Sequence, residues 1–98
     1  MASRSDHPRY WHCAMVIRHG RVVGVGSNGN WQHAERSAIN ATPEPLRRGS
    51  LILSLRYGAT GHLRLAKPCA ECLTAIREAG IRRIRYSVSD GNFLDLRP

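Results

Sequence analysis

Hydrophobic and polar positions change their period several times along this 98-residue chain, and each change marks an element. "HCAMVIR" (12–18) and "RVVGVGSN" (21–28) are β-rich runs on either side of His19-Gly20, which predicts a hairpin closed by a tight glycine turn. In "NWQHAERSAINA" the period lengthens. Trp31, Ala34, Ser37, Ala38 and Ala41 recur near helical spacing until Thr42-Pro43 stops the run, so a short helix is expected from near His33. "SLILSLRY" (50–57) is a strand whose continuous apolar stretch predicts burial on both faces. "GATGHLRLAK" (58–67) is expected to be a loop. "PCAECLTAIREAG" (68–80) places Leu73, Ile76 and Ala79 on one helical face, with Pro68 suited to the first turn and Gly80 to the end. "IRRIRYSV" (81–88) alternates Ile84, Tyr86 and Val88 against Arg83, Arg85 and Ser87, a strand with one basic face. "SDGN" then signals a turn and "FLDL" a short returning strand. The resulting order is β-β-α-β-α-β-β. Residues 1–10 are polar, carry Pro8 and lack helical periodicity, which makes them an entry segment.

A chain of this size has one core to build, and neither a repeat nor a linker divides it, so residues 1–98 are expected to form a single minimal domain. The apolar fraction is an ordinary 42 %. With no run of eighteen apolar residues and no signal-peptide pattern, the expectation is a cytoplasmic protein with no membrane association. Charge changes the picture more. Fifteen Lys and Arg oppose seven Asp and Glu for a net +8, and fourteen of the fifteen are arginine, the side chain whose planar fork matches phosphate. A polyanionic substrate or partner fits this balance. A solvated basic surface that aids solubility fits it as well.

Chemistry concentrates in two short stretches. Three cysteines make an odd count without a secretion signal, which argues for reduced thiols. Cys13 lies in "HCAMVI", where a small buried hydrophobe suffices. Cys69 and Cys72 form a C-x-x-C at a helix start, which a redox pair also requires, yet the motif comes late in the chain for a thioredoxin-like order. A structural zinc knot would normally call for a second C-x-x-C, and none is present. What the chain offers instead is "HAE", His33-Ala34-Glu35, at another helix start. If both starts meet, His33, Cys69 and Cys72 give a metal three ligands and an open fourth position, the catalytic arrangement in which a water's pKa falls from about 15.7 toward ~7. Glu35 then sits beside the metal without binding it, placed to shuttle a proton.

H-A-E followed by P-C-x-x-C on consecutive strand–helix units resembles the zinc-dependent cytidine/deoxycytidylate deaminase superfamily. The resemblance spans roughly Met15 to Val88. It implies an α/β, cytidine-deaminase-like layered fold, a mixed five-stranded sheet with the zinc-bearing helices on one face and the last two strands antiparallel. It implies Zn²⁺ as cofactor, His33, Cys69 and Cys72 as its ligands and Glu35 as the catalytic proton shuttle. Asn28 resembles the asparagine that holds the substrate sugar, with Asn30 the alternative in a loop that is also plain turn chemistry. Ala34 resembles the position whose backbone N–H meets the base, and Pro68 the residue that lets the thiolate helix start tightly. Trp31 is placed either to stack on a base or to cover the core.

The implied function is hydrolysis of cytosine to uracil, and the charge favours cytosine in a single-stranded DNA or RNA over free cytidine, deoxycytidine or a cytidine monophosphate. In that reading Arg64, Arg82, Arg83 and Arg85 present a row of contacts to phosphates. The alternative of another class is a zinc-stabilised nucleic-acid-binding module. Family members usually begin with a helix on the sheet face opposite the zinc, which residues 1–10 hardly supply. "LILSL" and "AMVI" are too apolar for a wet face, so a homo-oligomer is expected to cover it.

Overall fold

A computed structural model describes residues 11–28 and 33–98. The entry segment, Asn30 and Trp31 lie outside the described residues. Strands β1 (Trp11–Arg18) and β2 (Arg21–Ser27) form the expected antiparallel hairpin. Its turn has positive φ at His19 (52°) and Gly20 (76°), as the primed hairpin turns that suit strand twist require. Helix α1 (Ala34–Ala41) and a 3₁₀ turn (Glu44–Leu46) lead to β3 (Leu51–Tyr57). A two-residue strand β4 (Leu63–Arg64), helix α2 (Ala70–Glu78), β5 (Arg83–Ser89) and β6 (Asn92–Leu96) complete the chain.

The sheet runs β2-β1-β3-β5-β6 with β4 paired to β3. Among the described residues only β3 and β5 pair in parallel, and β5 and β6 are antiparallel as expected. Six strands replace the expected five, because the stretch read as a loop pairs Leu63 with Tyr57 and Arg64 with Arg56. The β3–β5 ladder ends at Ser54 and Tyr86. Beyond it the β4 segment fills the widening gap, with the Ala66 N–H donating to the Ser87 carbonyl at 2.8 Å. Two paired residues carry no period, so the pattern held no sign of them.

Registered rows Val16–Ile52–Ile84 and Ala14–Ser54–Tyr86 point to one face. There they meet Ala34, Ala38 and Ile39 of α1 and Ile76 of α2 in one core. Ile52, Ile76 and Ile84 are fully buried, worth roughly 1.5–3 kcal/mol each. Truncating Ile52 to Ala would cost about 2–5 kcal/mol. Helix α1 approaches β2 so closely that a Cβ on Gly26 would lie 2.3 Å from the Ala38 nitrogen, and one on Gly24 2.7 Å from the Ala38 carbonyl oxygen.

The opposite face carries Met15, Ile17, Leu51 and Leu53, all half-buried, while Leu55 is buried. Burial of β3 on both faces is thus complete only on the helix side. Strands β2 and β3 both run antiparallel to β1, and β5 runs with β3, so β2 and β3 end at the same edge of the sheet. Each is followed by a helix folding back onto the core face, which brings the N-termini of α1 and α2 together.

Candidate metal centre

Each helix begins on a residue whose side chain does not cap it. His33 is the N-cap of α1 and Cys69 the N-cap of α2, and neither makes a side-chain capping bond. A Ser, Thr, Asp or Asn there would stabilise its helix by about 1 kcal/mol, so these positions forgo stability and leave their donor atoms available. Pro68, expected in the first turn, instead precedes the N-cap and is buried. Cys72, within the first turn of α2, is fully buried.

The ligand atoms of His33, Cys69 and Cys72 all lie within 4.8 Å of one another. Tetrahedral bonds of about 2.3 Å would set two sulfurs roughly 3.8 Å apart, so closure of about 1 Å suits a zinc ion. Burial, followed by the neighbouring Glu35 and Cys69, pushes the Cys72 thiol well above its ordinary range. Such a thiol remains protonated unless a cation offsets those effects. His33 and Cys69 are exposed, which leaves the centre open to solvent on their side. The donor set therefore fits a metal with a vacant position.

Glu35 is 1 % exposed in the first turn of α1. Burial raises its carboxyl above the usual range, while its own backbone N–H, His33 and Arg56 partly oppose the shift. Among the described residues its Oε1 has no hydrogen-bond partner. A base that sequence reasoning passed over faces it. His12 of β1 points into the same space, its Nε2 3.5 Å from Glu35 Oε1 and 2.6 Å from Ser54 Oγ. Burial, then Arg56 and His33, lowers His12 to about 4, so at neutral pH this is a polar contact of a neutral imidazole and not an ion pair. The available signal was parity: His12 shares the inward face with Ala14 and Val16.

Asn28 closes the other side. Its N–H donates to the His12 carbonyl at 3.1 Å and its Oδ1 accepts from the His12 N–H at 3.4 Å. Ala34, fully buried, opens α1, where the first backbone N–H groups have no partner within the helix. The structure thus brings His33, Ala34, Glu35, Pro68, Cys69 and Cys72 together, with Asn28 joined to them through His12.

The arginines do not form one row. Arg64 pairs with Arg56 at the carboxyl end of β3, and with Leu65 and Val88 the two line a cleft of about 510 Å³. Arg82, Arg83 and Arg97 with Gly49 line another of about 370 Å³. That cleft lies at the start of β3 and β5, where Leu51 registers with Arg83. Arg85 is held by Asp95 through bonds of 2.8 and 3.1 Å.

Residues 1–88 match the family model of the cytidine and deoxycytidylate deaminase zinc-binding region. The chain belongs to this family. Zinc is accordingly its metal, and His33, Cys69 and Cys72 are positioned to bind it. Among solved structures the fold is similar to RibD of Acinetobacter baumannii (form 2), with a TM-score of 0.56 and 14 % identity. That match covers 79 % of this chain and 21 % of RibD, so the chain spans about a fifth of that protein's length. A search of curated proteins found no relative. Among the described residues no helix is long and apolar enough to cross a membrane.

Proposed function

We propose that this protein hydrolyses the exocyclic amine of cytosine, giving uracil and ammonia, most readily where the cytosine lies in a single-stranded polynucleotide. One observation carries the reading: a buried carboxyl, Glu35, stands beside an open His33–Cys69–Cys72 trio in which it has no role as a ligand. A structural zinc site has no use for such a group, which sets the reading apart from a zinc-stabilised binding module. Bound by the trio, zinc supplies a Lewis acid that brings the pKa of water toward ~7.

The rest of the work falls to the chain. Glu35 accepts the proton released as water attacks C4 and gives it to N3, then takes the proton of the hydroxyl now on C4 and gives it to the nitrogen that departs as ammonia, so its raised pKa suits both directions. Asn28 holds the sugar, the Ala34 N–H meets the base, Trp31 stacks on it, and Pro68 sets the approach of the thiolate helix. Arg56 and Arg64, which line a cleft together, receive a flanking phosphate in this reading, since ligands of open α/β sheets collect beyond the carboxyl ends of the strands. A mass-shift assay on cytidine, deoxycytidine, their monophosphates and single-stranded DNA and RNA tests this. Conversion of free cytidine alone would replace the polymer substrate. Conversion of none, with zinc bound, would leave the binding module.

The half-buried face of Met15, Ile17, Leu51 and Leu53, bordered by exposed Val22, Val25 and Phe93, supports a homo-oligomer. Light scattering at micromolar concentration decides it, and a monomer refutes it.

A further inference from the structure

His12 does more than fill the core. The Ser54 hydroxyl has one proton, and it donates that proton to the Ala66 carbonyl at 3.0 Å. With that bond made, the 2.6 Å contact with His12 Nε2 is one in which Ser54 accepts, whereas a hydroxyl turned to donate to Nε2 would withdraw its proton from the Ala66 carbonyl. The network therefore assigns His12 as the tautomer with hydrogen on Nε2. That same N–H faces Glu35 Oε1 at 3.5 Å, the carboxylate oxygen with no hydrogen-bond partner among the described residues. A buried carboxylate oxygen left without a donor is costly, by about 1–3 kcal/mol or more for a charged group. A small rotation of either side chain makes the bond.

We propose that His12 is a positioning residue for Glu35: its Nε2–H, poised between Ser54 Oγ and Glu35 Oε1, engages Oε1 and leaves the other carboxylate oxygen to carry the proton. The chain Ala66–Ser54–His12 supplies the rigidity. Ser54 is fully buried on β3, and Ala66 is fixed to β5 through its own N–H, so the imidazole is anchored at the same nitrogen that faces Glu35. The backbone of His12 also brackets Asn28 on both its N–H and its Oδ1, which ties the proposed sugar contact and the proposed proton carrier to one residue of β1.

The role in turnover rests on the deaminase reading, so the test has an arm independent of activity. In zinc-loaded protein, nitrogen NMR of the imidazoles reads the His12 tautomer. Hydrogen on Nε2 is expected, and hydrogen on Nδ1 with a bare Nε2 overturns the proposal whether or not any substrate is turned over. In the kinetic arm, His12→Leu removes the donor and His12→Gln keeps an N–H donor at similar reach. With a substrate that the wild type converts, His12→Leu should lower kcat by roughly 10–100-fold, the usual effect of removing an outer partner of a site group. KM should stay within about threefold, because the interaction serves the proton and not the binding of substrate. His12→Gln should recover most of the loss. Zinc content and unfolding midpoint, measured on all three proteins, identify a variant that has merely misfolded, in which case Ser54→Ala, which removes the contact that orients the imidazole, takes its place with the same expected fall in kcat. A His12→Leu protein that holds zinc and matches the wild-type kcat refutes the role, and so does a loss confined to KM. A wild type that converts nothing refutes the deaminase reading instead and leaves the tautomer to decide the geometry.

Discussion

Replacing Gly26 by alanine tests whether the close seating of α1 on β2 sets the site. A Cβ there would stand 2.3 Å from the Ala38 nitrogen, 2.5 Å from the Ala34 carbonyl oxygen and 2.7 Å from the Ser37 carbonyl carbon, all backbone atoms. Ordinary contact begins at 3.4 Å, so the helix must retreat by about 1.1 Å, because no side chain can give way in its place. Overpacking of this kind costs about 1–3 kcal/mol, and the backbone clash puts it near the upper end. For a chain of this length about 3 kcal/mol lowers the unfolding midpoint by roughly 12–24 °C. Helix α1 also carries His33 at its start and Glu35 in its first turn. A shift near 1 Å is enough for about a 10²-fold loss of turnover, and zinc should bind more weakly too. The assay is thermal or urea unfolding of the zinc-loaded protein alongside zinc content and turnover. If Gly26→Ala unfolds and turns over like the wild type, α1 is not held where the structure puts it, and the geometry argued from that seating falls.

Glu35→Ala should abolish turnover, by about 10²-fold or more, while zinc stays near one per chain by elemental analysis; loss of the metal would make Glu35 a ligand. His33→Ala, Cys69→Ala and Cys72→Ala should each lose both zinc and stability, since metal binding is in part folding free energy, and a metal-free variant with wild-type melting would remove that residue from the trio. Turnover of a single-stranded oligonucleotide should fall with a log–log salt slope of about −0.7 per phosphate contacted, and Arg64→Gln should flatten it by about one such step; a salt-independent rate would point to an uncharged substrate. Because His12 falls from 6.5 to about 4 on folding, the folded protein binds fewer protons than the unfolded chain between those values. Its contribution is whole above about pH 6.5 and is lost as pH falls toward 4, up to about 3 kcal/mol. Glu35 shifts the other way, and superimposable pH–stability curves for wild type and His12→Gln would refute the burial of His12.

What could be read from the sequence was whatever depends on neighbours in the chain. Helix α2 was legible because Leu73, Ile76 and Ala79 repeat at helical spacing, and the two hairpins because His19-Gly20 and Asp90-Gly91 impose turns locally. The metal trio was legible for a related reason. His33 and Cys69 each begin a helix after a strand, and parallel strands of one sheet deliver such starts to the same edge. The pairing of β4 was not legible, since Leu63 and Arg64 acquire strand geometry only from the gap that opens between β3 and β5 beyond Ser54. The same holds for the arginines, whose separation into clefts at opposite ends of β3 follows from register and not from spacing.

His12 shows where the boundary falls. Nothing around "WHCAMV" separates an inward histidine from a core filler, because its meaning comes from Ser54, forty-two positions on, and from Glu35 on another element. Burial makes each of these groups costly alone: a histidine driven neutral, a carboxyl driven up, a hydroxyl that must spend its one proton. Together they compensate one another, and only in this register of β1 against β3, which sets His12 opposite Arg56 and Ala14 opposite Ser54. A one-residue slip would turn His12 to the apolar outer face and carry Cys13 inward in its place. The polar contacts beneath the site therefore help to specify the register that the hydrophobic rows of β1 and β3 also favour, so the arrangement around Glu35 and the core beneath it are fixed by the same alignment.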